Sequence, residues 1–505
     1  MAKSLKTWEF GDFQTPLHLA RSVVTRLREQ LSFQPRTIIE PTCGVGAFII
    51  AAGEVFADVE RIVGVDIDVE YLARAREGVD GAAYQHKVSL IHDDFFKVCW
   101  ADLLETLPKP ILIIGNPPWV TNADIGLIKG SNLPRKSNFQ KHRGLDAITG
   151  KANFDISEWM ILRNLEWIEE YGGGVAMLCK TAVARKVLQS CWKAERPIGI
   201  GSCFHIDAMA SFGAAVDACC FVVEHDQDHV STDCLVFDSL DDAEPDSVFG
   251  WHNGMVIADV HLYNARRTLV GKEEHYIWRS GIKHDCSKVM ELRRTADGLQ
   301  NGLGEMVVIE DHFLFPLLKS SDVAKGNVED IRLDVIVTQR RVGEDTRVIA
   351  DMAPCTWGYL VDHRDLLARR GSIIYKNKPE FSVFGIGDYS FMPWKIAISG
   401  FYKHLSFQLI PPHHGKPVMV DDTVYFLGCS DEDEARFLWE ILTSVPAKEA
   451  LSSMIFWNDK RPVTADLLKR LNLAALAEAL GRGDAYRFFT ERARNSAQGE
   501  LVLAK

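Results

Sequence analysis

The sequence predicts an α/β protein whose first half is a doubly wound, mostly parallel sheet and whose second half is mixed α+β. Three observations predict it. Short β-type runs alternate with helix-length stretches from the N-terminus to about residue 225. Turns rich in glycine or proline follow two of those runs directly, at the carboxyl ends where open α/β sheets hold their ligands. Beyond about residue 225 the alternation gives way to irregular segments and to β-like runs dense in aromatic and basic residues.

The strands come in order as 37–40 (TIIE), 61–67 (RIVGVDI), 88–94 (VSLIHDD), 110–116 (PILIIGN) and 174–180 (GVAMLCK). Each is a short apolar run, too brief for a helix. Residues 69–78 and 156–170 are long enough to form helices between them. The stretch 224–247, rich in acids and turn formers, marks a boundary or a solvated loop excursion. Residues 381–410 interleave aromatic, basic and β-branched residues, and 430–480 reads as helical. The segment DEDEARFLWEILTSV carries its acids at the start, as a helix dipole prefers. The expected organisation is 1–245, 246–430 and a helical 431–505.

Composition sets the outer limits. The chain has 505 residues, 47% hydrophobic and 25% charged, with a net charge of −12. That excludes collagen, coiled coil and wholesale disorder. No apolar run approaches the ~20 residues that span a bilayer, and MAKSLKTWEFGDF lacks the apolar core of a secretory signal. A soluble, cytoplasmic protein is expected, with no membrane partner. Eleven scattered cysteines without a C-x-x-C suggest neither a disulfide framework nor a metal. The acidic balance is only a caution against nucleic acid, because basic residues can cluster on one face.

Asn116-Pro117-Pro118-Trp119 follows the apolar run ILIIG. Two prolines make a rigid turn without N–H groups, leaving carbonyls and the Asn amide oxygen as outward acceptors beside a flat aromatic. Such a set suits holding the exocyclic amine of a planar base while Trp119 stacks on its ring. A plain Pro-Pro turn would look the same in isolation. Upstream, Glu40-Pro41-Thr42-Cys43-Gly44-Val45-Gly46 again follows a strand and leads into an apolar stretch. Gly44 and Gly46 permit a tight turn and a close backbone approach to a ligand. Asp66, twenty residues past Gly46, ends the next strand where a carboxylate can accept ribose hydroxyls. The absence of a third glycine disfavours a dinucleotide pyrophosphate and favours a ligand with an amino-acid end. His92-Asp93-Asp94-Phe95-Phe96 ends a third strand with carboxylates able to reach an adenine amine.

In this order the motifs resemble the gamma class of adenine-N6 DNA methyltransferases from type II restriction–modification systems. Phe13-Gln14-Thr15-Pro16 is similar to that family's N-terminal motif, EPTCGVGAF to its S-adenosylmethionine loop, and Asn116–Trp119 to its catalytic turn. The resemblance implies a Rossmann-like class I methyltransferase domain followed by a C-terminal DNA target-recognition domain. It places Thr15 and Glu40, Pro41, Thr42 and Cys43 around the methionine end of the cofactor, with Gly44 and Gly46 in the same loop. Asp66 takes the ribose, Asp94 beside Phe95 takes the adenine amine with Asp93 as the alternative, and Pro118 lines the cofactor side. Asn116 and the Pro117 carbonyl hold the target amine, and Trp119 and Phe212 stack on the two faces of the base. The position of Trp119 is more commonly Tyr or Phe in the family.

The chemistry follows from those groups. The N6 lone pair is delocalised into the ring, and acceptors on both N–H bonds draw density back onto nitrogen for attack on the sulfonium methyl. Orientation and desolvation supply most of the rate. Duplex DNA must flip the base out first. Lys129, Arg135, Lys136, Lys141 and Arg143, with no acid among them between residues 125 and 145, suit phosphates beside such a pocket or form a solvated face. Further on, Lys283, Lys288, Arg340, Arg341, Lys395 and Lys403 lie among aromatics, as on a DNA-facing surface.

Three other readings compete. The acceptor could be cytosine N4, RNA or a protein glutamine. Ser more commonly opens the cytosine motif, and the RNA and protein enzymes need no further 280 or so residues. The chain could be a non-catalytic S-adenosylmethionine- or DNA-binding subunit, against which the intact Asn116–Trp119 speaks. A fused nuclease lacks its P-D…(D/E)-x-K signature, so a restriction endonuclease partner is expected as a separate protein.

Overall fold

The computed structural model describes residues 13–120 and 155–492. It divides into two compact units, the first ending at Val260 and the second starting at His261. Among the described residues no helix is long and apolar enough to cross a membrane.

The first unit is built on one sheet. Its strands are β1 (Thr37–Glu40), β2 (Arg61–Asp66), β3 (Val88–His92), β4 (Ile111–Gly115), β5 (Gly173–Lys180), β6 (Gly201–Ile206), β7 (Ala218–Glu224), β8 (Asp233–Phe237), β9 (Ser247–His252) and β10 (Met255–Ile257). They lie in the order β10-β9-β8-β6-β7-β5-β4-β1-β2-β3. From β3 to β5 all neighbours are parallel, and β7 then runs antiparallel between β5 and β6. The acidic stretch 224–247 is therefore neither a boundary nor a loop excursion, because β8 within it pairs with β6. The expected limit at residue 245 likewise precedes β9 and β10, which extend the same sheet.

Burial explains why these runs are strands. β4 is buried at every position, as a parallel strand covered on both faces must be. Helix α1 (Leu17–Gln30) buries Leu19, Val23, Val24 and Leu27, a spacing of three and four that marks one face, and packs on α2 (Ala47–Val55). α3 (Val69–Val79) starts where Asp68 accepts from the Glu70 and Tyr71 N–H groups. α5 (Ile156–Tyr171) starts at Asp155, which accepts from the Ser157 N–H at 3.2 Å, and stops at Gly172 with φ 72°. Between them lies the short α4 (Trp100–Glu105). Trp100 on α4 and Trp167 on α5 meet at 4.5 Å, and Phe95 joins both, tying the end of β3 to the helix layer.

The second unit holds two further sheets. One is four-stranded, with Trp394–Ser399 between Val424–Cys429 and Gln408–Ile410, and the other is six-stranded around Leu333–Ile336. The helix Glu432–Thr443 is capped by Asp431, which accepts from the Glu434 N–H at 3.0 Å, with three acids in its first turn.

Candidate active site

Four adjacent parallel strands, β4-β1-β2-β3, end side by side, and their carboxyl ends carry Asn116, Glu40, Asp66 and His92. β1 feeds β2 on one side while β4 lies on the other, so the strand order reverses at β1 and leaves a crevice there. A cavity of about 500 Å³ occupies it. Thr15, Glu40, Pro41, Thr42, Cys43, Gly44, Asp66, Asp93, Asp94, Phe95, Asn116 and Pro118 line it, a set the sequence had scattered over about one hundred residues.

The loop after β1 is shaped by its two glycines. Gly44 has φ 51°, and a Cβ there would lie 2.5 Å from Gln14 Oε1. Gly46 has φ 80°, and a Cβ would press to 2.9 Å from that of Ala75. Gly46 thus shapes the turn without lining the cavity. Gln14 accepts from the Val45 N–H at 3.0 Å, and Asp66 accepts from Gly44 at 2.7 Å and from Asp68 at 2.8 Å. The carboxylate of Asp66 both faces the cavity and fixes the loop.

Glu40 is 3% exposed, and its Oε2 has no hydrogen-bond partner among the described residues. Burial, reinforced by the nearby Asp66 charge, holds its carboxyl well above the ordinary range. Burial also pushes the Cys43 thiol up, which makes it a packing group and no nucleophile.

Asn116 is the most informative side chain. Its Nδ2 donates to the Phe13 carbonyl at 3.0 Å and to Thr15 Oγ1 at 3.2 Å. The Phe13 carbonyl can only accept, so that contact requires the NH₂ end of the amide and sets its orientation, and the Thr15 hydroxyl then accepts from the same group. The other end, Oδ1, is buried and has no donor among the described residues. An acceptor left so costs about 1–3 kcal/mol unless something arrives to satisfy it.

Trp119 is turned inward. It is 6% exposed, and its Nε1 donates to the Leu178 carbonyl at 3.2 Å. Phe212, at the end of the short helix α6 (Ala208–Phe212), meets it edge-on at 5.2 Å and 72°, and Phe13 closes the group at 5.7 Å from Trp119. The two rings expected on opposite faces of a base are brought together, in edge contact with no slot between them. Pro117 is buried, and neither it nor these two rings line the cavity. Asp94 is buried, accepts from the Phe96 N–H at 3.0 Å and pairs with Lys97 at 3.1 Å, whereas Asp93 is exposed.

Sequence reasoning missed what holds the turn. Lys180 at the end of β5 bonds Asp155 at 2.6 Å and the Trp119 carbonyl at 3.2 Å, and the Ile156 N–H reaches the Val120 carbonyl at 3.0 Å. No local motif signals that clamp; only the parallel placing of β4 and β5 could have suggested it. Phe13 and Gln14 were quoted as part of a motif, but their folding back onto Asn116 and Val45 is visible only in three dimensions.

The DNA-contact candidates fare unevenly. Lys129, Arg135, Lys136, Lys141 and Arg143 lie outside the described residues. Lys288 and Lys403 are exposed. Lys283 is half-buried and paired with Asp285 at 2.7 Å and Asp422 at 3.1 Å, and Arg341 is exposed and paired with Asp388 at 2.6 Å. Arg340 lies over the Phe391 ring at 4.0 Å. Lys395 needs correction: it is 1% exposed, and its Nζ donates to the Met392 carbonyl at 2.8 Å. It sits on a middle strand covered on both faces, and burial lowers its pKa to about 7, so it does not present a charge to DNA.

No protein-family model matches the chain. It is 44% identical over 472 residues to the type II methyltransferase M.NspV of Nostoc sp., covering 94% of this chain and 98% of that one. A shorter match, 38% identical over 111 residues, relates 22% of the chain to 25% of the type II methyltransferase M.CvrRI of Paramecium bursaria Chlorella virus XZ-6E. Among solved structures, the type IIL restriction–modification enzyme MmeI in complex with DNA is similar in fold, with a TM-score of 0.51 at 11% identity over 90% of this chain and 65% of that one.

Proposed function

The chain belongs to the type II methyltransferases, and from that we propose that it transfers the methyl group of S-adenosylmethionine to the N6 amine of an adenine flipped out of double-stranded DNA. The observation that carries the reading is Asn116 Oδ1, a buried acceptor without a donor, fixed in place through the other end of its amide.

The cavity fits the cofactor on observations of its own. Glu40 Oε2, buried and unpartnered, suits the amino group of the methionine end, beside the Gly44–Gly46 turn. Asp66 suits the ribose hydroxyls, and Asp94, with Asp93 as the alternative, suits the adenine amine at the mouth formed by β3. S-Adenosylmethionine supplies an electrophilic methyl group on a sulfonium.

The chain's own residues do the rest. Asn116 Oδ1 takes one N–H of the target amine, and the Pro117 carbonyl takes the other. With both protons held, the nitrogen lone pair is less delocalised into the ring and is directed at its electrophile. The acceptors are preorganised, so little reorganisation is needed during the reaction. Trp119 is the fixed wall of the base site, because its N–H is tied to Leu178; Phe212, half-buried on a five-residue helix ending at Gly213, is the wall that yields. Opening that ring pair accompanies base entry. The second unit is the target-recognition domain, with the helices after residue 430 as its C-terminal segment, and any restriction endonuclease partner is a separate protein.

Single-turnover methyl transfer by Asn116→Ala tests the reading. The rate is expected to fall roughly 100-fold or more, as on loss of a preorganised transition-state partner. Cofactor affinity is expected to stay within about three-fold, since only binding shared by ground and transition states moves it. A rate close to wild type would remove Asn116 from the chemistry.

A further inference from the structure

A second hollow lies wholly within the second unit, with a volume of about 520 Å³. Phe313, Phe315, Thr338, Gln339, Arg340 and Phe391 line it. The turn that follows the strand Leu333–Ile336 is held from within. The Val337 N–H reaches the Phe313 carbonyl at 2.8 Å, and Glu344 accepts from the Arg340 and Arg341 N–H groups at 2.8 and 3.1 Å. Thr338 spends its hydroxyl on the Phe381 carbonyl at 2.9 Å. Two side chains of the turn keep polar capacity in hand.

Gln339 is 6% exposed, and its Nε2 donates to the Arg341 carbonyl at 3.0 Å, which fixes the amide's orientation. Its Oε1 is buried with no partner among the described residues. That is the condition of Asn116 Oδ1 in the first unit, repeated at a site with no part in methyl transfer. Arg340 is exposed, with its guanidinium over the Phe391 ring at 4.0 Å, a cation–π contact from which N–H groups of the planar guanidinium can still reach a ligand. The hollow's carboxylates, Glu344 and Asp345, repel phosphate, and Asp345 is already paired with Arg347 at 2.7 Å. An unpaired acceptor among carboxylates takes an N–H donor, and aromatic walls take a flat ring.

We propose that Gln339 and Arg340 determine which DNA sequence is methylated, Gln339 Oε1 accepting from the exocyclic amino group of one base and Arg340 donating to the ring acceptors beside it. Adenine N6 and cytosine N4 both offer that amine, each next to acceptors in the same base pair. The proposal rests on the reading of the chain as a site-specific DNA methyltransferase and adds the residues that read the site.

The test maps the sites modified in unmethylated bacterial genomic DNA by wild type, Gln339→Leu, Gln339→Glu and Arg340→Ala. Gln339→Leu is expected to lose roughly ten-fold in discrimination at one position of the site, the scale of one base-edge contact. Gln339→Glu keeps an acceptor and is expected to keep the preference there; whether that base is adenine or cytosine names the amine. Arg340→Ala is expected to relax the same base pair. Preferences unchanged in every folded variant overturn the proposal, as does a loss spread evenly over all sequences. Should neither Gln339 variant fold, Arg340→Ala at an exposed position decides in the same way. A wild-type enzyme that leaves DNA unmodified overturns the underlying reading instead.

Discussion

Glu40 and Asn116 are two unsatisfied groups on neighbouring strand ends, and each makes its own demand on a ligand. The buried carboxyl of Glu40 keeps its proton above the ordinary 4.5, where an unfolded chain has released it. The folded apo state therefore binds more protons than the unfolded one, and the Glu40 contribution to stability falls as pH rises above about 4.5. Glu40→Gln removes that slope. Its melting temperature relative to wild type is expected to climb with pH in the apo protein, while its affinity for S-adenosylmethionine drops roughly ten-fold, as for a lost charge-assisted hydrogen bond. Parallel melting curves across that pH range, or unchanged cofactor affinity, would contradict this. The residues of this site were legible in the sequence because the chemistry needs them next to strand ends, and strand ends are marked by apolar runs. The orphaned oxygens were not legible. That of Asn116 depends on Phe13, whose carbonyl comes from 103 residues away, and no pattern in a linear sequence reports which end of an amide is already spent.

At the scale of elements, the Asn116–Trp119 turn is held as a joint. β4 delivers it, β5 clamps it through Lys180, and Asp155 closes the joint at the start of α5. Removing the Lys180 ammonium leaves the nearly buried Asp155 carboxylate without its counter-ion. Lys180→Met is expected to cost about 1–3 kcal/mol, the range for breaking a buried pair discounted for the partial exposure of the lysine. It is also expected to slow methyl transfer, since the carbonyl of Trp119 loses its donor. Chemical denaturation and single-turnover assays on the same preparation check both, and a variant as stable and active as wild type would refute the clamp. The element boundaries were read from sequence to within a residue or two where apolar runs end abruptly, as at 37–40. The reading failed where composition and location part. Lys395 lies among aromatics exactly as a DNA-facing lysine would, yet its strand is central and the side chain is buried. The acids of 224–247 suggested solvent, but the apolar run Cys234–Phe237 between Asp233 and Asp238 lets β8 add to the sheet.

At the scale of the molecule, the proposals give the two compact units separate tasks, with the cavity after β1 in the first and the Gln339–Arg340 hollow in the second. Hydrogen exchange distinguishes them. S-Adenosylmethionine is expected to slow amide exchange at 40–45, 66–71 and 92–96, which line the cavity, and to leave the strands Trp394–Ser399 and Val424–Cys429 unchanged. Protection confined to the second unit would contradict the assignment. The division into a doubly wound half and a mixed half was legible because periodicity changes between them, whereas its position, at Val260, was not: β9 and β10 follow an acidic stretch that reads as a break. With a net charge of −12 the chain does not attract DNA as a whole, so its specificity must lie in local contacts. The most direct measurement is nucleoside analysis of unmethylated bacterial DNA after incubation with labelled S-adenosylmethionine and the intact protein. The account predicts label in N6-methyladenine; label in N4-methylcytosine, or none in DNA while the cofactor binds, would contradict it.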